Sequence, residues 1–188
     1  MIETERLILR LPVADDLSWV LENVNTPAVT RHLGGVHLAA TVAERLASDI
    51  ADIAETGSGR WILWLRDEDR RIGRCGLYRM SSEAAPEALC GQHEIGWTLA
   101  EAFWGKGYAA EAARAVLGLG FGSLGFPVIF AQTSESNRAS TRLMERLGLE
   151  RLGLERMPAL DYVDPDYPAA DNPTTVYRMS REEWVARP

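Results

Sequence analysis

Only two cysteines, Cys75 and Cys90, occur in the 188 residues. They form no C-x-x-C pair and are too few for a disulfide framework, so each reads as packing and a reducing cytoplasm is the simplest compartment. Three histidines, His32, His37 and His93, lie scattered, and His93-Glu94 does not continue as H-E-x-x-H, so no metal site is expected. No apolar run approaches membrane-spanning length, and Met1 to Arg6 lacks the charged-then-apolar order of a secretory signal. The chain is therefore expected to be soluble and cytoplasmic, with no membrane partner. Positive charge is in deficit, with a formal net charge of −7 and no basic stripe. The six tryptophans then read as core or pocket wall rather than stacking platforms, and nucleic acid is not an expected partner. There is no Gly-x-Ser-x-Gly elbow for a serine nucleophile, no Walker loop ending in Gly-Lys-Ser/Thr, no internal repeat and no low-complexity tract.

What is present is an ordinary globular composition, 46% hydrophobic and 25% charged, which one domain over residues 1–188 accommodates. Arg6–Leu11 alternates, with Leu7, Leu9 and Leu11 on one face, and Pro12 ends it as a strand. Asp15 and Asp16 suit a helix start leading through Trp19, Val20 and Val24. A second helix over about Val42–Glu55 carries Leu46, Ile50 and Ile53 on one stripe. Trp61–Leu65 and Ile72–Tyr78 flank a polar turn and read as a hairpin. Val128–Ala131, Arg151–Met157 and Thr174–Met179 are the later strands, and Asn137–Leu147 is a helix closed by Gly148. Pro158–Pro173, rich in Pro and Asp, cannot be regular structure and is a long loop, of a length that is either functional, the favoured reading, or disordered.

The chain is organised around residues 94–121. A β-type segment, Glu94–Leu99, runs into the turn around Gly105-Lys106-Gly107, which opens into a helix with Ala109, Ala113, Val116, Leu117 and Gly120 on one stripe. Glycines without Cβ let backbone press against a ligand, and a helix start offers free N–H groups and a positive dipole end; together they suit phosphate. Lys106 adds a cation. Gly105-x-Gly107-x-x-Ala110 also matches a dinucleotide fingerprint, although half the chain precedes it where that motif opens its domain. A tight turn closed by glycine alone is the remaining structural alternative.

Trp104-Gly105-Lys106-Gly107-Tyr108-Ala109-Ala110-Glu111-Ala112 resembles the acyl-CoA pyrophosphate loop of the GNAT N-acetyltransferases, in the form used by the RimJ/RimL-type branch. The superfamily pattern has Gln or Arg where this chain has Trp104, a departure that branch shares. Glu3–Arg10 resembles the opening of the same branch, and Asn137-Arg138-Ala139-Ser140 resembles its Asn-x-x-Ser segment. The resemblance covers nearly the whole chain. It implies a GNAT-like α/β (α+β) fold with a mixed, mostly antiparallel seven-stranded sheet, in the order β-α-α-β-β-β-α-β-α-β-β, splayed at the central strands. It further implies that acetyl-CoA is the co-substrate, with main-chain contacts from Trp97, Thr98 and Leu99. The pyrophosphate would take the turn formed by Gly105, Lys106, Gly107, Tyr108, Ala109 and Ala110, and Asn137 and Ser140 would lie near the pantetheine and sulfur. Asn137 is equally a good helix cap.

An alkyl amine near pKa 10.4 is protonated at neutral pH, so attack on a thioester needs a base, and Glu94 is the candidate. Its placement resembles that of the glutamate base in histone-acetylating members of the superfamily. A structural ion pair with Arg74 or Arg79 is the alternative. A backbone N–H near Leu99 would steady the developing oxyanion. Many superfamily members protonate the leaving thiolate with a Tyr seven residues beyond the Asn; here Met144 stands there, leaving Ser140 or water.

The implied function is an acetyl-CoA-dependent N-acetyltransferase acting on the primary amine of a small molecule or protein N-terminus. A non-catalytic acyl-CoA-binding or regulatory module and a nicotinamide-dependent reductase are the rival readings. Asn25–Leu38 and Pro158–Pro173 are the regions expected to select the acceptor, the carboxylates of the latter suiting a cationic one. A homodimer is among the assemblies left open.

Overall fold

Ten consecutive residues, Arg70–Arg79, form the longest strand of the molecule, and the sheet is built outward from it in a computed structural model that describes residues 1–80, 87–153 and 174–187. In chain order the strands are β1 (Ile2–Glu3), β2 (Leu7–Arg10), β3 (Arg60–Leu65), β4 (Arg70–Arg79), β5 (His93–Leu99), β6 (Val128–Ser134), β7 (Glu150–Arg151) and β8 (Thr174–Ser180). The helices are α1 (Asp16–Asn23), α2 (Pro27–Thr30), α3 (Ala39–Thr56), α4 (Tyr108–Phe121), α5 (Arg138–Leu147) and α6 (Arg181–Val185). Among the described residues the sheet has eight strands in the order β1-β2-β3-β4-β5-β6-β8-β7. Every pairing is antiparallel except β5 with β6. The strand beyond the expected seven is the two-residue β1, which pairs only with β2.

Strand alternation divides this sheet into two faces of different character. Leu7, Leu9, Leu63, Cys75, Leu77 and Ile95 are buried on the side that receives α4 and α5. α4 seats Ala112, Ala113, Val116 and Leu117 there with no exposure, the small residues letting the helix lie close. Complete burial of a Val or Leu side chain is worth about 1.5–3 kcal/mol, so this face holds the sheet and the central helix together. The other face carries Arg60, Ile62, Arg74, Tyr78, Glu94 and Thr98 in one register across β3, β4 and β5, beneath α1 and α3.

Several expectations shift in detail. Leu11 lies beyond β2 and is 48% exposed, because the strand ends before Pro12. α3 starts three residues earlier than expected and buries Val42, Leu46 and Asp49 rather than Ile50. Asp16 is not a helix cap; it is fully buried, accepting from the Val13 N–H at 2.8 Å and pairing with Arg10 and Arg71 at 2.6 and 3.0 Å. Cys75 is buried as expected, whereas Cys90 is exposed. The Pro158–Pro173 loop, and the Arg151–Met157 strand beyond Gly153, fall outside the described residues.

Candidate active site

The parallel β5–β6 pair is joined at one position only, Glu94 opposite Phe130, so the two strands part immediately beyond Glu94. A cleft of about 1010 Å³ opens from that gap. On its other edge β5 stays paired to β4 through Leu99, opposite Gly73. The Ala100 N–H donates to Ile72 O of β4 at 2.9 Å, so by alternation the N–H groups of Leu99 and Trp97 point away from β4, toward the gap.

The glycine turn closes one end of the cleft. Gly105 and Gly107 have φ of +73° and +82°, left-handed values that favour glycine. A Cβ on Gly105 would meet nothing within 4 Å, so packing is not what requires a glycine there; backbone conformation and open approach are. Gly107 caps α4 with no side chain of its own, leaving the first-turn N–H groups of Tyr108, Ala109 and Ala110 at a cleft wall those residues line. The turn is held from behind. Glu111 accepts from the Thr4 hydroxyl at 2.6 Å and from the Arg6 N–H at 2.8 Å, and it pairs with the Arg6 guanidinium at 2.7 Å. Arg6 also donates to Lys106 O at 3.1 Å and lies over the Tyr108 ring. Burial raises the Glu111 pKa, but the hydrogen bonds from Thr4 and Arg6 and the Arg6 charge outweigh it and hold the carboxyl below its ordinary value.

Trp104 and Lys106 take roles the sequence did not announce. The Trp104 indole Nε1–H donates to Leu99 O at 2.8 Å, fastening the turn to the end of β5. Lys106, the chain's single lysine, is exposed and sets its Nζ over the Phe103 ring, and it is not among the residues lining the cleft.

Glu94, Trp97, Thr98, Leu99, Gly105, Gly107, Tyr108, Ala109, Ala110, Asn137 and Ser140 all line this one cleft. Glu94 is 3% exposed, and its Oε2 accepts from Gln132 Nε2 of β6 at 3.0 Å, across the fork where the strands part. Of the two arginines weighed as its partner, Arg74 is bound by the Asp49 carboxylate and the Arg79 Nε donates to Gly91 O at 3.3 Å. Tyr78 stands opposite Glu94 on β4 and carries its hydroxyl over Gly96, where a Cβ would sit 2.7 Å from it. Asn137 caps α5, accepting from the Ser140 N–H at 3.3 Å while its Nδ2 donates to Thr133 Oγ1 at 2.9 Å. Met144 is buried in the same wall.

The opposite end of the cleft is lined by α1, α2, α3 and their connections, including Val24, Val29, Arg31, His32 and Arg45. His32 reaches back to the β6–α5 turn, its Nδ1 lying 3.3 and 3.4 Å from the Ser134 and Ser136 hydroxyls. Burial, and then the Arg31 charge, lower its pKa. Asp49 and Gln132 went unnoticed in the sequence, where His32 was weighed only as a metal ligand and as part of Asn25–Leu38; the sole local signal for Asp49 was its helical spacing from Val42 and Leu46. His93 faces the other way and stacks on Phe126 at 3.7 Å. Among the described residues no group of three or more His, Cys, Asp or Glu could hold a metal ion, and no helix is long and apolar enough to cross a membrane.

Similarity to other proteins agrees with this geometry. The family described as the Acetyltransferase (GNAT) domain matches residues 6–150. The "Uncharacterized N-acetyltransferase p20" of Bacillus licheniformis is 30% identical over 146 residues, spanning 77% of this chain and 79% of that protein. The "Uncharacterized N-acetyltransferase YoaA" of Bacillus subtilis is 29% identical over 152 residues, spanning 79% and 81%. Among solved structures, an acetyltransferase from Agrobacterium tumefaciens superposes with a TM-score of 0.75 at 28% identity, over 95% of this chain and 92% of that one. The aminoglycoside acetyltransferase AAC(6')-Ib, in complex with ribostamycin and coenzyme A, shares the fold with a TM-score of 0.76 at 23% identity, over 97% of each chain. With the family match running over most of the chain and the forked strands and glycine turn in place, this chain belongs to the GNAT acetyltransferase family.

Proposed function

We propose that this protein is an acetyl-CoA-dependent N-acetyltransferase, of the RimJ/RimL-type branch, that moves an acetyl group directly to a primary amine of a small molecule or protein N-terminus. The observation that carries the reading is the fork beyond Glu94: a buried carboxylate stands where two parallel strands part, and the same cleft continues to a bare, N–H-rich glycine turn. The residues fit the co-substrate. Backbone N–H groups of the Gly107–Ala110 segment suit a diphosphate, and those of Trp97 and Leu99 suit the amides of the pantetheine arm.

Glu94 serves as base, directly or through a water, taking the proton an alkylammonium must lose before nitrogen can attack. Gln132, donating to Oε2, holds that carboxylate in one orientation. As the amine nitrogen bonds to the thioester carbonyl carbon, negative charge gathers on the carbonyl oxygen. The Leu99 and Trp97 N–H groups point into the gap where this occurs. The C–S bond then breaks as the bonded nitrogen gives its remaining ammonium proton to Ser140 or water, which passes a proton on to the departing thiolate, since Met144 cannot donate. No covalent enzyme intermediate is required.

Profiling acceptors with acetyl-CoA, read by product mass and thiol release, tests this. Acetylated amine with stoichiometric free thiol is expected. Tight coenzyme A binding with no acetyl-dependent turnover on any amine would instead favour a non-catalytic acyl-CoA-binding module.

A further inference from the structure

The face of the sheet beneath α1 and α3 is rich in guanidinium, with Arg74 its buried member. Two buried aspartates reach onto it from the helices, and each is shared by two arginines: Asp16 by Arg10 and Arg71, Asp49 by Arg60 and Arg74. The first group lies away from the cleft; the second lines it through Arg60 and Arg74. In the second group Arg74 is buried beside Asp49, whereas the Arg60 side chain keeps 28% exposure. Burial, and next the neighbouring Arg60 charge, hold the Arg74 pKa down to about 10.

Arg74 is the buried arginine that meets the cleft. It is 6% exposed and lines the cleft, and while its Nη2 is engaged by Asp49, its Nε–H is buried without a hydrogen-bond partner. A buried donor without a partner is costly, and of the three such donors among the described residues, on Trp64, Arg71 and Arg74, Arg74's belongs to a residue of the cleft wall, where a guanidinium can meet an acceptor atom. Arg74 stands opposite Thr98 on the strand that carries Glu94, so the base and this donor share one face of the sheet. Arg31, from the α2 connection, adds a cation to the same half of the cleft. Among the described lining residues the carboxylates are Glu94 and Glu145, the latter accepting from the Tyr177 hydroxyl at 3.2 Å.

Building on the acetyltransferase reading above, we propose that the acceptor is an aminocarboxylate: its amine is presented to Glu94 and its carboxylate is taken by the Arg74 guanidinium, with Arg31 as a second cation on the same wall. This runs opposite to the cationic acceptor expected from the aspartates of Pro158–Pro173. It follows from the described wall of the cleft, where guanidinium outnumbers carboxylate.

Matched acceptor pairs test it with the wild-type protein and acetyl-CoA. 4-Aminobutyrate is set against butylamine, and α-amino acids against their amides, with kcat/KM read by product mass. The carboxylated member is expected to be favoured about 10- to 100-fold, the worth of a hydrogen bond to a charged group. Arg74→Lys, which retains a charge beside Asp49 but loses the planar fork, is expected to narrow that ratio. Amines acetylated equally well or better without the carboxylate would overturn the proposal while leaving acetyl transfer intact. Acetylation of no amine of any class would overturn both this proposal and the reading it builds on.

Discussion

On the proposed function, the two ends of the cleft recognise their ligands with different materials. The coenzyme end is backbone: a pair of left-handed glycines, the first turn of α4, and strand N–H groups freed where β5 and β6 diverge. The acceptor end is side chain: Glu94 and Gln132 from the forked strands, Arg60 and Arg74 from β3 and β4, Asp49 from α3, and Arg31 and His32 from the α2 connection. Backbone recognition needs only a short run of chain with the correct dihedral angles. Side-chain recognition gathers single residues from distant segments. The first can therefore be conserved in shape while the second is free to change the acceptor.

Changes at the acceptor end are expected to act on chemistry and stability. Glu94→Gln keeps the Gln132 contact but removes the base, and kcat/KM should fall about 100- to 10,000-fold at neutral pH. The loss should shrink as pH rises, because the amine itself sheds its proton on approaching pKa ~10.4. An unchanged pH–rate profile would take Glu94 out of the mechanism. Asp49→Asn removes the carboxylate beneath Arg60 and Arg74, a buried pairing whose loss costs about 3–5 kcal/mol. For a chain of this size the Tm should drop by about 10 °C, read by calorimetry, a fall too large for a surface ion pair.

The same contrast explains what could be read from the sequence. Gly105 to Ala110 was legible because the glycine turn and the helix start reside in consecutive residues. The strand order was legible too, since alternation at Leu7 and Leu9 and helical spacing from Ala113 to Leu117 report the apolar face they pack on. Asp49 was not. Its spacing from Val42 and Leu46 says only that it is turned inward, and the register that sets Arg60 and Arg74 beneath it makes it a buried counter-ion. Gln132 was invisible for the same reason: its meaning depends on Phe130 pairing with Glu94, a contact between strands 36 residues apart in sequence (130 − 94). Leu11 and Ile50 were misplaced because periodicity continues in a sequence after the element or its partner has ended.

Smaller effects belong to the coenzyme end, and they should leave acceptor binding alone. Gly107→Val forces a branched side chain into φ of +82°, a strain of about 1–3 kcal/mol at the point where N–H groups must stay presented. The KM for acetyl-CoA should rise about 10- to 100-fold with the acceptor KM unmoved. Glu111→Gln tests the brace behind the turn. Because the folded carboxyl titrates below its ordinary value, the charged form stabilises the fold above pH ~4.3, and that contribution is lost as pH falls through the lowered folded value. Wild-type Tm should therefore fall more steeply than that of the variant on acidification below pH ~4.3. At neutral pH the variant should be the less stable by about 1–2 kcal/mol. Parallel acid profiles would show that the Thr4–Arg6–Glu111 contacts do not brace the turn.

The finest test of the division is Trp104→Phe. The substitution keeps an aromatic ring at a position 44% exposed and deletes only the indole donor to Leu99 O. Water can reach that carbonyl in the variant, so the cost should be near the lower range for a neutral hydrogen bond, about 0.5–1 kcal/mol, with Tm hardly changed. The functional consequence should be directional. Leu99 carries both the carbonyl that Trp104 holds and an N–H that points into the gap, so a looser Trp104 lets the strand end and the glycine turn shift relative to each other. A two- to fivefold rise in the KM for acetyl-CoA is expected, with the acceptor KM and the carboxylate preference of matched amines untouched. If the acceptor KM moves instead, the two ends of the cleft are coupled through β5 and the separation between backbone and side-chain recognition fails at its narrowest point.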